Sequence, residues 1–275
     1  PIVCLYLLQC LLVSKYASDI KEGAMIKEYY NSEKNHDVLI LGDCEVYENI
    51  STVTMWENYG ISSYIRGSAE QLIWQSYYLL EDTLKYEKPQ VVIVNVLAMT
   101  ESDAKNEAYN RMTLDGMKLS KYKIASIRES MTEEENMASY IFPLLRYHSR
   151  WSELSSEDFR YMWKTPSVTT NGYLMQKGVR PVKTIPKAAP LANYTFSDRN
   201  MEYLDKIYSL CKDNGINLVL MKAPSVYPHW YDEWDKQVSD YAYEHGILYL
   251  NTINEAGNIG IDYTTDTFDY GQKLN

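Results

Sequence analysis

Short apolar runs alternate with amphipathic stretches along this chain, and each run has the length of a strand. Val38-Leu39-Ile40-Leu41 is unbroken, rich in branched residues and closed by Gly42. A run of this kind suits a strand buried on both faces, as in a parallel sheet under helices. Ile61–Arg66, Val91–Val96, Asn217–Met221 and Ile247–Leu250 predict four more strands. Between them, Ser51 to Tyr59 predicts a short helix stopped at Gly60. Ser68-Ala69-Glu70-Gln71 has the form of a capping box, opening a helix whose Ile73, Tyr77, Leu80 and Leu84 keep helical spacing to about Lys88. Glu81 and Lys85 add an i,i+4 pair on that helix. Ser197 is a candidate N-cap for a helix through Asp213, with Met201, Leu204, Ile207 and Leu210 on one face. Asp232 to Glu244 predicts another. Alternating strands and helices with short joints imply right-handed parallel crossovers. The expected fold class is therefore α/β: three layers, flavodoxin-like, around a five-stranded parallel sheet.

Two regions depart from that rhythm. From 101 to 196 the alternation breaks, after strand three. Thr132-Glu133-Glu134-Glu135 resembles a second capping box, opening a helix toward Ile141, and Leu144–Leu154 is a basic and aromatic cluster. Asn171-Gly172 between VTT and YLM is a strong hairpin signal, and Pro181, Pro186 and Pro190 punctuate a loop. The segment is expected to be an insertion covering the carboxyl edge of the sheet. Residues 1–13 are apolar apart from Gln9, too few for the roughly 20 that span a bilayer. They are read as the outer half of a signal anchor, with a polar stalk to residue 36 before a domain over 37–275. An ordinary core helix or a signal-peptide apolar region are the alternatives.

Composition narrows the function. A net charge of −10 with no basic stripe argues against nucleic acid. The 26 tyrosines and 6 tryptophans suit carbohydrate or protein surfaces as well as cores. Cys4, Cys10, Cys44 and Cys211 are spaced for neither a zinc site nor a disulfide framework. Cys44 is the one in a plausible reactive position. It follows the first strand, at the carboxyl edge where open α/β sheets place their chemistry. A helix beginning there would favour its thiolate; the plainer alternative is a buried, inert cysteine.

Gly42-Asp43-Cys44-Glu45, behind its strand, resembles the Gly-Asp-Ser block of the SGNH (GDSL-type) hydrolase superfamily, with Cys44 in the place of the serine. The wider stretch is similar to the membrane-anchored bacterial branch, which includes teichoic-acid D-alanyl transfer proteins and polysaccharide O-acetyltransferases. The resemblance implies that Gly67, after strand two, gives a backbone N–H to an oxyanion hole. Asn95 stands near that family's Gly-x-Asn block, as an oxyanion donor or as a cap on the strand edge. The ending Asp269-Tyr270-Gly271-Gln272-Lys273-Leu274-Asn275 is similar to the family's Asp-Gly-Gly-x-His-Leu-Asn, with Lys273 where histidine stands. An ordinary lysine is protonated at neutral pH and takes up no proton. Lys273 is then a depressed base, a partner for a Cys44 thiolate, or a salt bridge to Asp269 with the chemistry lost.

His36 and His245 are expected to be solvated, and His229 follows strand four on the correct edge. His148 and Arg150 lie in the cluster expected over the site, where arginines beside aromatics suit a phosphate or carboxylate. The candidate positions are thus Cys44, Asp269 and Lys273 for catalysis, with Asp43, Gly67, Asn95, His148 and Arg150 for binding. The resemblance implies acyl-ester hydrolysis or transfer on a cell-envelope glycan, outside the membrane, with a possible membrane-bound acyltransferase as partner and with no metal or cofactor. The rival expectation is an inactive member that binds glycan or serves assembly.

Overall fold

The five apolar runs form five strands in the computed structural model, which describes residues 2–13, 22–164, 167–182 and 187–274. They are β1 (Val38–Gly42), β2 (Ser63–Gly67), β3 (Val91–Asn95), β4 (Asn217–Lys222) and β5 (Leu248–Asn251). All neighbours pair in parallel, in the order β2-β1-β3-β4-β5. The fold is the expected flavodoxin-like α/β arrangement of helices about this sheet. Helices α1 (Ile2–Leu12) and α2 (Glu22–Glu28) precede the sheet. Part of the expected stalk (14–21), Pro186 and Asn275 lie outside the described residues.

Strand side chains alternate between faces, so each buried run feeds two cores. Leu39, Leu41, Val92, Val94, Leu218 and Leu220 pack under α5 (Ile73–Thr83), α11 (Asp198–Asp213) and α12 (Asp232–His245). Val38, Ile40 and Ile65 pack on the other face, with Val46 and Tyr47 of the one-turn α3 (Cys44–Tyr47). Beside it lies α4 (Thr52–Tyr59), capped by Ser51, whose side chain accepts from Thr54 N, and ended at Gly60 with φ +66°. Ser197 caps α11 as expected, accepting from Asn200 N.

The interruption over 101–196 carries α6 (Glu107–Leu114), α7 (Lys121–Ser130), α8 (Met137–Ile141), α9 (Leu144–Tyr147) and α10 (Ser156–Arg160). It meets the carboxyl edge of the sheet at two places, where Thr113 of α6 shares a short hydrogen bond with Ser68 just past Gly67 and where Gln176 donates to Glu48; α6 also packs beside α2, and α7 beside α5. The hairpin signal is fulfilled. Asn171 and Gly172 both take positive φ, and Thr170 bridges Tyr173. That turn docks on the edge strand, where Ile65 N donates to Asn171 O at 2.9 Å. An uncovered strand edge is a template for unwanted pairing, and here the hairpin occupies it.

Several local expectations gave way to tertiary demands. The helix after β2 starts at Ile73, not Ser68, because Ser68 and Gln71 are drawn into a buried polar cluster with Arg66, Ser76 and Thr113. The second capping box is displaced as well: Asn136 caps α8, and Glu135 instead accepts from Asn110 and Tyr140. Lys85 pairs with Asp82 at 3.7 Å rather than with Glu81. His36 is buried, not solvated, with Nδ1 2.9 Å from Glu87 Oε2. His245 is partly buried and stacks on Tyr241.

Candidate functional site at the carboxyl edge of the sheet

The chain turns out of β1 at Gly42, where a Cβ would lie 2.7 Å from Asn95 Cβ. Gly67 is level with Gly42 in the β1–β2 register, and its own Cβ would meet Gly42 O at 2.8 Å. Only glycine allows the two backbones to approach so closely. Asp43 then caps α3, its Oδ1 accepting from Glu45 N at 3.1 Å. Cys44 opens that helix, half-buried.

Around it lies a knot of buried charge. Asn95 Nδ2 donates to Asp43 Oδ1 at 3.2 Å and to Glu45 Oε2 at 3.0 Å, while its Oδ1 accepts from Ala223 N. Both amide hydrogens of Asn95 therefore face carboxylates. Glu45 is pinned by Lys222 at the end of β4, with Nζ 2.7 and 2.8 Å from its two oxygens, and both side chains are buried. Lys222 Nζ also donates to Ala223 O at 3.0 Å. Glu48, one helical turn beyond Cys44 and buried, meets Lys273 Nζ at 2.8 Å and accepts from Gln176 Nε2 of the insertion.

The chain's last turn is clamped onto this edge. Asn49 Oδ1 accepts from Leu274 N at 2.6 Å, and Asn49 Nδ2 donates to Gln272 O and to Ser225 Oγ. Val226 N donates to Gly271 O at 2.8 Å. A Cβ at Gly271, φ +92°, would strike Val226 and Val182. This brings Lys273 into the field of Cys44 and within 3.9 Å of Asp269. Cys44 and the distant pair Asp269 and Lys273 thus share one corner with Asp43, Gly67 and Asn95.

The electrostatics of that corner work against a thiolate. Burial pushes the Cys44 thiol well above the ordinary cysteine range. The carboxylates of Asp43, Glu48 and Glu45 add to that rise, and Lys273 only partly opposes it. The helix-dipole benefit expected at Cys44 is outweighed, because α3 is a single turn. Asp43 is pushed up to about 7, first by burial and then by the Glu45 charge. Glu45 is raised by burial against the pull of Lys222 and Asn95. Burial would lower the Lys273 ammonium, but the hydrogen bond and charge of Glu48, with Asp269 beside it, more than offset this and hold it above the usual lysine range. It is a cation here, not a base.

His148 and Arg150 are elsewhere. His148 is exposed and bonded through Nδ1 to Leu145 O. Arg150 pairs with Asp158 at 3.2 Å and donates from Nη1 to Leu12 O of α1. Both are held by partners away from the Cys44 corner. His229 lines a separate cavity of about 180 Å³ on the same edge of the sheet, with Val226, Trp230, Asp232, Asn251 and Asn254. Beneath it Asp235 Oδ1 accepts from Trp230 Nε1, Tyr249 OH and Asn251 Nδ2, which stiffens the wall.

Sequence reasoning missed Glu45, Glu48, Asn49 and Lys222. One signal was present: a lysine closing an otherwise apolar strand needs a buried partner, and two acids flank Cys44 in Cys44-Glu45-Val46-Tyr47-Glu48. Among the described residues, no group of three or more histidine, cysteine or acidic side chains is arranged to hold a metal ion. No protein-family model matches the chain, and no curated protein matches it.

Proposed function

We propose that this chain is a non-catalytic SGNH-like protein of the cell envelope, which keeps the architecture of an acyl-ester site and binds glycan beside it. One observation carries the proposal. Cys44, at the nucleophile's position, is held as a thiol by burial and by the charges of Asp43, Glu48 and Glu45; the four histidines have their contacts elsewhere, and Asp43 Oδ1 is engaged by Glu45 N and Asn95 Nδ2. Thiol attack on an ester needs the thiolate or a group that takes its proton. Lys273 is engaged by Glu48 and already protonated. An oxyanion would meet an Asn95 whose two N–H groups are spent on carboxylates. Glycan binding is assigned to the cavity at Trp230, where an indole wall and the outward polar groups of His229, Asp232 and Asn254 suit a hydroxyl-rich ring with one apolar face.

The second reading is ester hydrolysis or acyl transfer by Cys44. It is favoured by the gathering of Cys44, Asp269 and Lys273 at one strand end. Hydrolysis of an activated acetyl ester by the parent and by Cys44→Ala separates the two. Equal, background rates are expected. Turnover that disappears with the thiol would establish the second reading instead.

The N-terminal segment is proposed to hold the domain outside the membrane. Support comes from α1, which is uncharged and exposes Ile2, Val3, Leu5, Tyr6 and Leu8. Among the described residues no helix is long and apolar enough to cross a membrane.

A further inference from the structure

Besides α1, a second group of exposed apolar side chains lies far from Cys44 in the chain, on the short helices of the insertion. Phe142, Leu145, Trp151, Phe159 and Trp163 are all exposed, Trp151 and Trp163 to 72% and 67%. Five large exposed apolar side chains on neighbouring short helices are of the kind that marks an interaction surface. They sit on or beside α8, α9, α10 and the 3-10 turn His148–Ser152, elements that pack on one another and on α1. Arg150 fastens the two parts, reaching Leu12 O at the end of α1 while paired with Asp158.

The neighbouring helix α1, packed on α9, α10 and the 3-10 turn, points to what covers this surface. That helix has no charged residue and one polar one, Gln9; it exposes apolar side chains at Ile2, Val3, Leu5, Tyr6 and Leu8 over more than half of its circumference, while another flank makes those contacts. A helix apolar over so wide an arc belongs in a protein core or in hydrocarbon. A single protein groove satisfies one stripe of it, whereas lipid satisfies all of it. Eleven residues extend about 16 Å, roughly half the thickness of a bilayer's hydrocarbon. The surface beside its last turn then stands at headgroup level. Its composition fits that depth, since tryptophan with interleaved arginine and lysine is what membrane interfaces favour. Residues 142–164 hold four basic side chains against three acidic ones, in a chain of net charge −10.

We propose that the aromatic face formed by Phe142, Leu145, Trp151, Phe159 and Trp163 lies on the lipid surface, with Arg146, Arg160 and Lys164 at the headgroups. The proposal rests on the anchored reading of α1 and adds to it an orientation: the insertion, rather than the sheet, faces the bilayer.

The test uses the whole chain reconstituted with phosphatidylcholine–phosphatidylglycerol vesicles, with and without bromine on the acyl chains. Two readouts are taken, flotation with the vesicles and quenching of tryptophan emission by the brominated lipid. The parent is compared with Trp151→Phe/Trp163→Phe, which keeps the apolar face and removes the two reporters. The parent should float and be quenched, and the double variant should float yet lose at least half of that quenching. If both float but quenching is absent or the same in both, the anchor stands and the proposed face is wrong, as it would be if another membrane protein covered it. A parent that does not float overturns the face and the anchor together.

Discussion

Asp43→Asn is the most informative single change at the Cys44 corner. Burial and the neighbouring Glu45 carboxylate push Asp43 from its ordinary 3.8 up to about 7. An acid whose folded pKa is raised binds its proton more tightly in the folded state than in the unfolded one. Stability therefore falls as pH rises from about 4 to about 7, and the full cost is carried above that window. At about 1.36 kcal/mol for each factor of ten, the ceiling on that cost is about 4 kcal/mol. Coupling to Glu45 and Lys222 shares it out, so about 2–3 kcal/mol is the working expectation. Asparagine mimics the protonated carboxyl: its Oδ1 still accepts from Glu45 N and from Asn95 Nδ2, the two bonds Asp43 makes. Urea unfolding of parent and variant at pH 5 and pH 8 reads the effect. Asp43→Asn should be near neutral at pH 5 and stabilising by about 2–3 kcal/mol at pH 8. An equal effect at both pH values, or a loss at pH 8, would refute the claim that this carboxyl is held against its preference.

Three further outcomes follow from the same contacts. Lys222→Met should cost roughly 3–5 kcal/mol in urea unfolding, since it leaves the buried Glu45 without its cation; a loss below about 1 kcal/mol would mean that the pair is not desolvated. Gly67→Ala should cost about 1–3 kcal/mol, because the new methyl lies 2.8 Å from the backbone oxygen of Gly42 and 3.1 Å from the Tyr47 ring; an unchanged Tm would contradict the close approach. Glu87 is held at about 2 despite burial, by bonds from His36, Tyr29 and Asn35 N. A depressed acid adds stability that is present above about 4.5 and lost as pH falls toward 2, so the acid limb of a Tm–pH curve should flatten in Glu87→Gln.

The strands were readable in the sequence because burial on both faces leaves unbroken branched runs, and Val38–Leu41 needs no tertiary information to be recognised. Ser51, Ser197 and Asn171-Gly172 were readable because caps and tight turns are made by residues a few positions apart. The start of α5 was not: Ser68 and Gln71 have local capping chemistry, but their side chains are taken by Arg66, Ser76 and Thr113. Buried Arg66, paired with Asp82 across β2 and α5, was equally invisible. At the site, the position of Cys44 could be read, whereas its ionisation could not. That depends on burial, on the charges of Asp43, Glu48 and Glu45, and on a C-terminal turn, clamped by Asn49, that brings Lys273 to it. The placement of His148 and Arg150 over the site failed for a related reason. Arg150 had a closer partner in Asp158, eight residues on, and α1 lay beside it.

The neutrality of the Cys44 sulfur can be measured directly. Alkylation of the whole protein with iodoacetamide, timed across pH 6 to 11 and read by mass spectrometry of the Cys44 peptide, gives its titration. The rate should stay low through pH 9, where a free cysteine is already largely thiolate, and rise only toward the top of the range. A rate that climbs through pH 6 to 8 would show a poised thiolate, and the account of a silent site would be wrong.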